Sequence, residues 1–245
     1  MEPPPLSSTS PSPVSGPVSG PGVLNGATIV FDLDGTLIET APDLVGTLNV
    51  LLAREGVAAL PLDQARMMIG QGAKALIARG FAASGAPLEE LRLSALFDDF
   101  IVHYLAHIAD ESRPFPGVLA AMDTLEAAGA RLAVCTNKRA DLSVALLDEL
   151  KLSHRFAAIV GGDAVPAQKP DAGHLIATIE RSGGDVKRAV MIGDSVSDAK
   201  AARAAGVPLV LVSFGYTDIP ARDLDPDILI DHFDELVGAC EKLMR

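Results

Sequence analysis

Two aspartates separated by one residue, Asp32 and Asp34, stand directly after a short apolar run, Ala27 to Phe31. In an extended segment residues two apart face the same side, so both carboxylates can address one reacting group. A pair of carboxylates with different roles fits a nucleophile and a general acid/base. Gly35 follows, where the chain can turn sharply and its backbone can approach an anion closely. The bland alternative is a polar loop in which aspartate favours a turn.

Further polar residues follow other apolar runs. Thr136 and Asn137 follow Arg131 to Cys135, and Gly193-Asp194 follows Ala189 to Ile192. Asp32, Asp34 and Asp194 together suit a hard cation with oxygen ligands, and Mg²⁺ is the natural choice because it takes few carboxylates and keeps water or phosphate in its shell. Ser195 and Asp198 are spaced as a capping box, so Asp198 either joins the chemistry or only stabilises a helix start. Lys169 precedes Pro170. The residue before proline is pushed out of helix geometry, which puts this lysine on an extended loop where it can lie over carboxylates and a phosphate. Thr136 offers a hydroxyl to a phosphate, with the Asn137 backbone N–H beside it. Gly70 and Gly72 form a turn, either a plain connection between helices or one whose N–H groups face a substrate. His103 and His107 share a helix face at i, i+4 without an evident third ligand, and read as a packed or solvated face instead of a metal site.

The elements that must position these residues follow from pattern. Apolar β-branched runs at Ala27–Phe31, Arg131–Cys135, Ala157–Val160, Ala189–Ile192 and Leu209–Val212 alternate with helical segments from Gly117 onward. Continuous apolar strands alternating with helices predict a parallel sheet covered on both faces. In such a doubly wound α/β sheet, with a Rossmann-like core, ligands bind outside the carboxyl ends of the strands. That edge is where the chain delivers Asp32, Asp34, Thr136 and Asp194. The stretch from Thr40 to about Ala109 is helical throughout, broken at Gly56, Pro61, Gly70 to Gly72 and Pro87. It predicts a helical cap inserted after the first strand. Thr40 and Asp43 read as a capping-box-like pair at its start, with Pro42 in the first turn. The expected organisation is a disordered Pro/Ser/Gly-rich tail at 1–24, a core at 25–39 and 113–245, and a cap at 40–112.

Composition limits the partners. A formal net charge of −12 repels nucleic acid and anionic lipid, and makes any phosphate site depend on local cations. No apolar run reaches the roughly 18 residues that suggest a membrane span. The 2 cysteines, Cys135 and Cys240, suggest reduced thiols, and a cytoplasmic monomer or homodimer is expected. The absence of tryptophan leaves the core to Ala, Leu and Val.

The ordered set Asp32-Leu33-Asp34-Gly35-Thr36, Thr136, Lys169 and Gly193-Asp194 with Asp198 resembles the haloacid dehalogenase superfamily of phosphohydrolases. The resemblance implies Asp32 as nucleophile, Asp34 as general acid/base, and Mg²⁺ held by the Asp32 side chain, the Asp34 backbone carbonyl and Asp194. It implies Thr136 and Lys169 on the phosphoryl oxygens. Asp32 should then have a low pKa and stay ionised, while Asp34 carries a proton during attack. Finer segments, Glu39 to Leu44, Gly70-Gln71-Gly72-Ala73, Pro116-Gly117-Val118 and Cys135-Thr136-Asn137-Lys138, are similar to the phosphoglycolate phosphatases. That implies a small anionic phosphate ester whose carboxylate needs a second anion site, with Lys74, Arg79 and the N–H groups around Gly70 and Gly72 as nearest candidates. Other sugar-phosphate phosphatases and phosphomutases share the main motifs. The histidine that related hexose-phosphate mutases carry in the first cap helix is absent from Asp43 to Arg54. A dehalogenase would need neither Asp34 nor Asp194, and a non-catalytic binding protein would be free to lose Asp32 or Lys169.

Overall fold

The computed structural model describes residues 22–245. In chain order the elements are β1 (Thr28–Phe31), β2 (Ile38–Glu39), α1 (Ala41–Arg54), α2 (Leu62–Arg66), α3 (Ala73–Ala83), α4 (Glu90–Ala106), β3 (Arg113–Pro114), α5 (Val118–Ala127), β4 (Arg131–Thr136), α6 (Ala140–Glu149), β5 (Ala158–Gly161), α7 (Ala172–Arg181), β6 (Ala189–Gly193), α8 (Val196–Ala205), β7 (Leu209–Val212), β8 (Ile228–Ile230) and α9 (Leu236–Leu243). Six strands form one parallel sheet in the order β5-β4-β1-β6-β7-β8. The expected doubly wound core with a helical insertion is therefore present. The short edge strand β8 and the terminal helix α9 went unread, because Ile228 to Ile230 is too brief a run to carry a period.

Side-chain alternation along the strands builds two cores. Val30, Ala133 and Met191 face Leu175 and Ile179 of α7 and the small Ala199 and Ala202 of α8. Ile29, Phe31, Val134 and Ile192 face the other way, and their cluster runs without a break into Leu44, Leu48, Phe100 and Tyr104 of the insertion. The cap shares one apolar cluster with the sheet. Leu24, assigned to the tail from sequence, is 1% exposed and belongs to this cluster. Its apolar side chain joins the core together with the partly buried Val23, although Gly22, Asn25 and Gly26 surround the pair. The rest of the tail, 1–21, lies outside the described residues.

The two crossings between core and cap run side by side. Ile38 pairs with Pro114 and Glu39 with Arg113 in an antiparallel ribbon. Asp43 fastens the ribbon, its carboxylate accepting from the Glu111 and Ser112 backbone N–H groups at 3.0 and 2.8 Å and from the Ser112 hydroxyl at 2.6 Å. Hydrogen bonds to a charged group contribute roughly 1.5–3 kcal/mol each, so this clamp outweighs an ordinary turn. The expected Thr40–Asp43 capping box does not form. Thr40 has helical backbone angles and no side-chain cap bond, and its hydroxyl donates to Asp34 Oδ1 at 2.7 Å. Tyr216, from the loop after β7, takes its place: its hydroxyl accepts from the Thr40 and Ala41 N–H groups at 2.9 and 3.0 Å and donates to Glu39.

Candidate active site

Strand register brings the acids together. Phe31 stands opposite Val134 on one side and Ile192 on the other, so all three strands end at nearly the same level. Asp32 extends β1 by one step, its N–H donating to the Ile192 carbonyl at 2.8 Å. Asp32, Asp194 and Asp198 can each place one oxygen within 4.8 Å of the others, and all three are buried. This triad differs from the expected set in one member, with the Asp198 carboxylate standing where Asp34 was expected. The Asp34 side chain turns away toward the cap, held by Thr40 and by Lys138 Nζ at 3.1 Å. Period-two spacing puts two side chains on one face only while the strand stays extended, and the chain is already turning at Asp34 and Gly35.

Asp198 caps α8 and also reaches the Lys169 ammonium. Its Oδ2 accepts from the Ser195 N–H and hydroxyl at 3.0 and 2.7 Å, the capping box at the start of α8. Its Oδ1 pairs with Lys169 Nζ at 2.6 Å, and the same ammonium reaches Asp32 Oδ1 at 2.8 Å. Lys169 is 2% exposed. Burial works against its charge, but Asp198 and Asp32 hold its pKa above the ordinary lysine value.

Of the three buried carboxylates, Asp32 and Asp198 pair with the Lys169 ammonium, and Asp194 has no such partner among the described residues. Burial pushes the Asp32 pKa up to about 7, with Lys169 opposing and Asp198 and Asp34 adding to the rise. Burial, then Asp198 and Asp32, also push Asp194 well above the usual carboxylate range. A low pKa for Asp32 is thus not a property of the polypeptide alone. An all-oxygen cluster carrying excess negative charge fits a divalent cation such as Mg²⁺. Asp194 is fixed for this position by Thr36 Oγ1 at 3.0 Å and the Tyr216 N–H at 2.6 Å. Gly35, at φ +88°, lies so close that a Cβ there would stand 2.6 Å from Asp194 Oδ2. The anion that Gly35 approaches is the protein's own carboxylate.

The remaining expected residues meet around a cavity of about 60 Å³ between sheet and cap, lined by Asp32, Asp34, Gly70, Gly72, Thr136, Asn137 and Lys138. Thr136 Oγ1 accepts from the Lys138 N–H at 3.1 Å and keeps its own proton to donate. Asn137 Nδ2 donates to the Gly70 carbonyl of the cap at 3.1 Å and to the Lys169 carbonyl at 3.0 Å, joining the cap loop to the lysine loop. Lys74 and Arg79, expected near a second anion site, lie elsewhere: Lys74 pairs with Glu90 at 3.6 Å and Arg79 with the Met68 carbonyl at 3.4 Å, both exposed. Two residues that sequence reasoning passed over belong here. Lys138 is 6% exposed and faces the cavity, and its place in the Thr136-Asn137-Lys138 run was the available signal. Tyr216 carried no local signal at all. His103 and His107 stack at 4.6 Å, bonded to Thr47 and Asp110, away from the acid triad.

His174 holds the lysine loop from behind. Its Nδ1 accepts from the Lys169 N–H at 3.1 Å and its Nε2 donates to the Val160 carbonyl at 3.1 Å. Burial, then the Lys169 charge, lowers its pKa to about 4. A histidine kept neutral in the fold stabilises fully above its unfolded pKa near 6.5, and that stability is lost as pH falls through about 4. The expected result is a His174 contribution to the unfolding free energy that drops by a few kcal/mol over this window, against the opposite contribution of the raised Asp32 and Asp194. His174→Gln lacks this contribution, as measured by the difference between urea titrations of both proteins at pH 7 and pH 4.

A buried acid and lysine centre at the carboxyl ends of a parallel sheet, roofed by inserted helices, defines a doubly wound α/β enzyme with a helical cap. Residues 29–212 match the family described as haloacid dehalogenase-like hydrolase, and the chain belongs to that family and is a phosphatase. It is 58% identical over 221 residues to a phosphoglycolate phosphatase of Caulobacter vibrioides, covering 90% of this chain and 93% of that protein. To the phosphoglycolate phosphatase of Agrobacterium fabrum it is 49% identical over 216 residues, covering 88% and 93%. Among solved structures, a predicted phosphoglycolate phosphatase from Haemophilus somnus superposes with a TM-score of 0.81 at 28% identity, covering 88% of this chain and 98% of that one. CbbY from Rhodobacter sphaeroides, solved with phosphate, gives a TM-score of 0.75 at 26% identity, covering 89% and 99%. Among the described residues, no helix is long and apolar enough to cross a membrane.

Proposed function

We propose that the protein hydrolyses 2-phosphoglycolate to glycolate and phosphate, with Mg²⁺ as cofactor and an aspartyl-phosphate on Asp32 as intermediate. The observation that carries the reading is the pairing of a buried acid triad and Lys169 with a small, partly open cavity that Asp32 lines. A cavity of about 60 Å³ between sheet and cap suits a small ester tail. The names of the relatives at 58% and 49% identity support the choice of ester.

In the first step an Asp32 carboxylate oxygen attacks phosphorus and the bond to the ester oxygen breaks. The departing oxygen keeps the electron pair and takes a proton from Asp34. Water then gives a proton to Asp34 and its oxygen attacks phosphorus. The bond to Asp32 breaks, releasing phosphate and restoring the carboxylate. Thr136 donates to a phosphoryl oxygen, and Lys169 neutralises charge there while holding Asp32 in line. Asp32, Asp194, Asp198 and the Asp34 backbone carbonyl would hold the Mg²⁺. The bound cation would neutralise the carboxylates and phosphoryl charge and favour ionised Asp32. Asn137, Gly70 and Gly72 close the cavity over the tail.

A panel of small phosphate esters tests the substrate. Phosphoglycolate is expected to give the highest kcat/KM. If a sugar phosphate or nucleotide exceeds it by tenfold, about 1.4 kcal/mol, the ester is wrong although the phosphatase stands.

A further inference from the structure

The cavity walls contributed by the cap are apolar: Leu44, Ile69, Leu76, Phe97 and Phe100. A carboxylate brought in on a substrate would lose most of its water there, at a cost of several kcal/mol unless it meets a cation. Two cationic side chains line the cavity. Arg139 is committed to Asp141, its Nε and one terminal nitrogen donating at 3.0 and 2.8 Å. Lys138 is the buried one. Its Nζ contacts Asp34 Oδ1 and Oδ2 at 3.1 and 3.4 Å, which leaves a third donor. The ammonium lies 4.5 Å from the centre of the Tyr104 ring.

Tyr104 supplies the second observation. It is fully buried on α4 and lines the cavity, yet its hydroxyl finds no partner with hydrogen-bonding geometry. An unmet buried hydroxyl is costly, so a group that satisfies it on binding gains in discrimination. Gly72 and Ala73, at the start of α3, line the same cavity, and no side chain caps that helix. Its first N–H groups therefore have no side-chain acceptor, as suits an anion.

We infer that Lys138, with the Tyr104 hydroxyl and the N-terminus of α3, forms the receptor for a carboxylate on the leaving group and so determines which ester is hydrolysed. This rests on the phosphoglycolate reading above and gives it a structural cause. The cation sits on the core, two residues beyond Thr136, so the carboxylate and phosphoryl subsites share one short loop. The spacing of the two subsites then measures the length of the ester. The cap contributes the hydroxyl and the helix terminus, which complete the receptor.

The test compares kcat/KM for phosphoglycolate and for ethyl phosphate, which has the same two carbons without the carboxylate. Each ratio is taken within one protein, so general damage from a substitution cancels. Wild type is expected to favour phosphoglycolate, and Lys138→Gln is expected to reduce that ratio by about 100-fold. Tyr104→Phe removes a hydroxyl that lies beside the Lys138 ammonium but has no partner of hydrogen-bonding geometry. It is therefore expected to fold normally and to lower the ratio several-fold. If both substitutions slow the two esters equally, the receptor assignment fails while the choice of phosphoglycolate stands. If wild type prefers a different carboxylated ester and Lys138→Gln cancels that preference, the receptor stands and phosphoglycolate falls. If wild type makes no distinction between carboxylated and neutral esters, both fail.

Discussion

Asp32→Asn is expected to lower phosphate release by at least about 10⁴-fold, the scale seen when a nucleophile is removed from catalytic machinery. The amide is close in shape to the carboxylate, so the fold is retained, but it is a poor nucleophile. It also leaves Lys169, which touches Asp32 Oδ1 at 2.8 Å, with Asp198 as its remaining charged partner. Because Asp198 still anchors the ammonium, circular dichroism and melting should change little while turnover disappears. Mass spectrometry must exclude deamidation back to aspartate. Near-normal turnover in a verified variant would end the covalent mechanism. Asp34→Asn is a useful companion, since it removes the acid/base but leaves the triad of Asp32, Asp194 and Asp198 complete.

Removal of the metal is expected to have an effect of comparable size. Chelation and dialysis should silence the enzyme, and Mg²⁺ should restore it. Burial pushes Asp32 up to about 7 in the polypeptide by itself, and Asp194 is raised as well. Near neutrality a substantial share of metal-free molecules then carries a proton on the attacking group. The same excess charge predicts a readout independent of turnover. Mg²⁺ at one hundred times its Kd should stabilise the fold by about 2.7 kcal/mol. The Tm rise should be greater at pH 8 than at pH 5, because burial raises the Asp32 and Asp194 pKa values and protons held on both acids compete with the cation more at the lower pH. Full activity after rigorous chelation, or no Tm response to Mg²⁺ at pH 8, would contradict the metal assignment.

What the sequence determined by itself was set by local rules. Apolar strands ending in aspartate or threonine predict which residues reach the carboxyl edge of the sheet, because period-two patterning and strand length are local properties. Asp32, Thr136 and Asp194 arrive there as expected, and so does Lys169, placed on a loop by the proline after it. The helical insertion was legible because glycine and proline punctuate it.

The tertiary structure decided how those residues are paired. Asp34 shares a motif with Asp32, yet the turn at Gly35 sends its carboxylate to Lys138 and Thr40, and Asp198 completes the triad through a bond to a lysine 29 positions away. Tyr216 replaces the local cap of α1 from 176 positions away. Lys74 and Arg79 lie close in sequence to the cavity-lining glycines but bond elsewhere, while Lys138 and Tyr104 enter the cavity from different layers. The pairs Asp34–Lys138, Lys169–Asp198 and Thr40–Tyr216 are too far apart for any short window of sequence to contain both partners. Direction of the side chain, burial and the competition among charges for one ammonium are fixed only when sheet and cap close over the same volume.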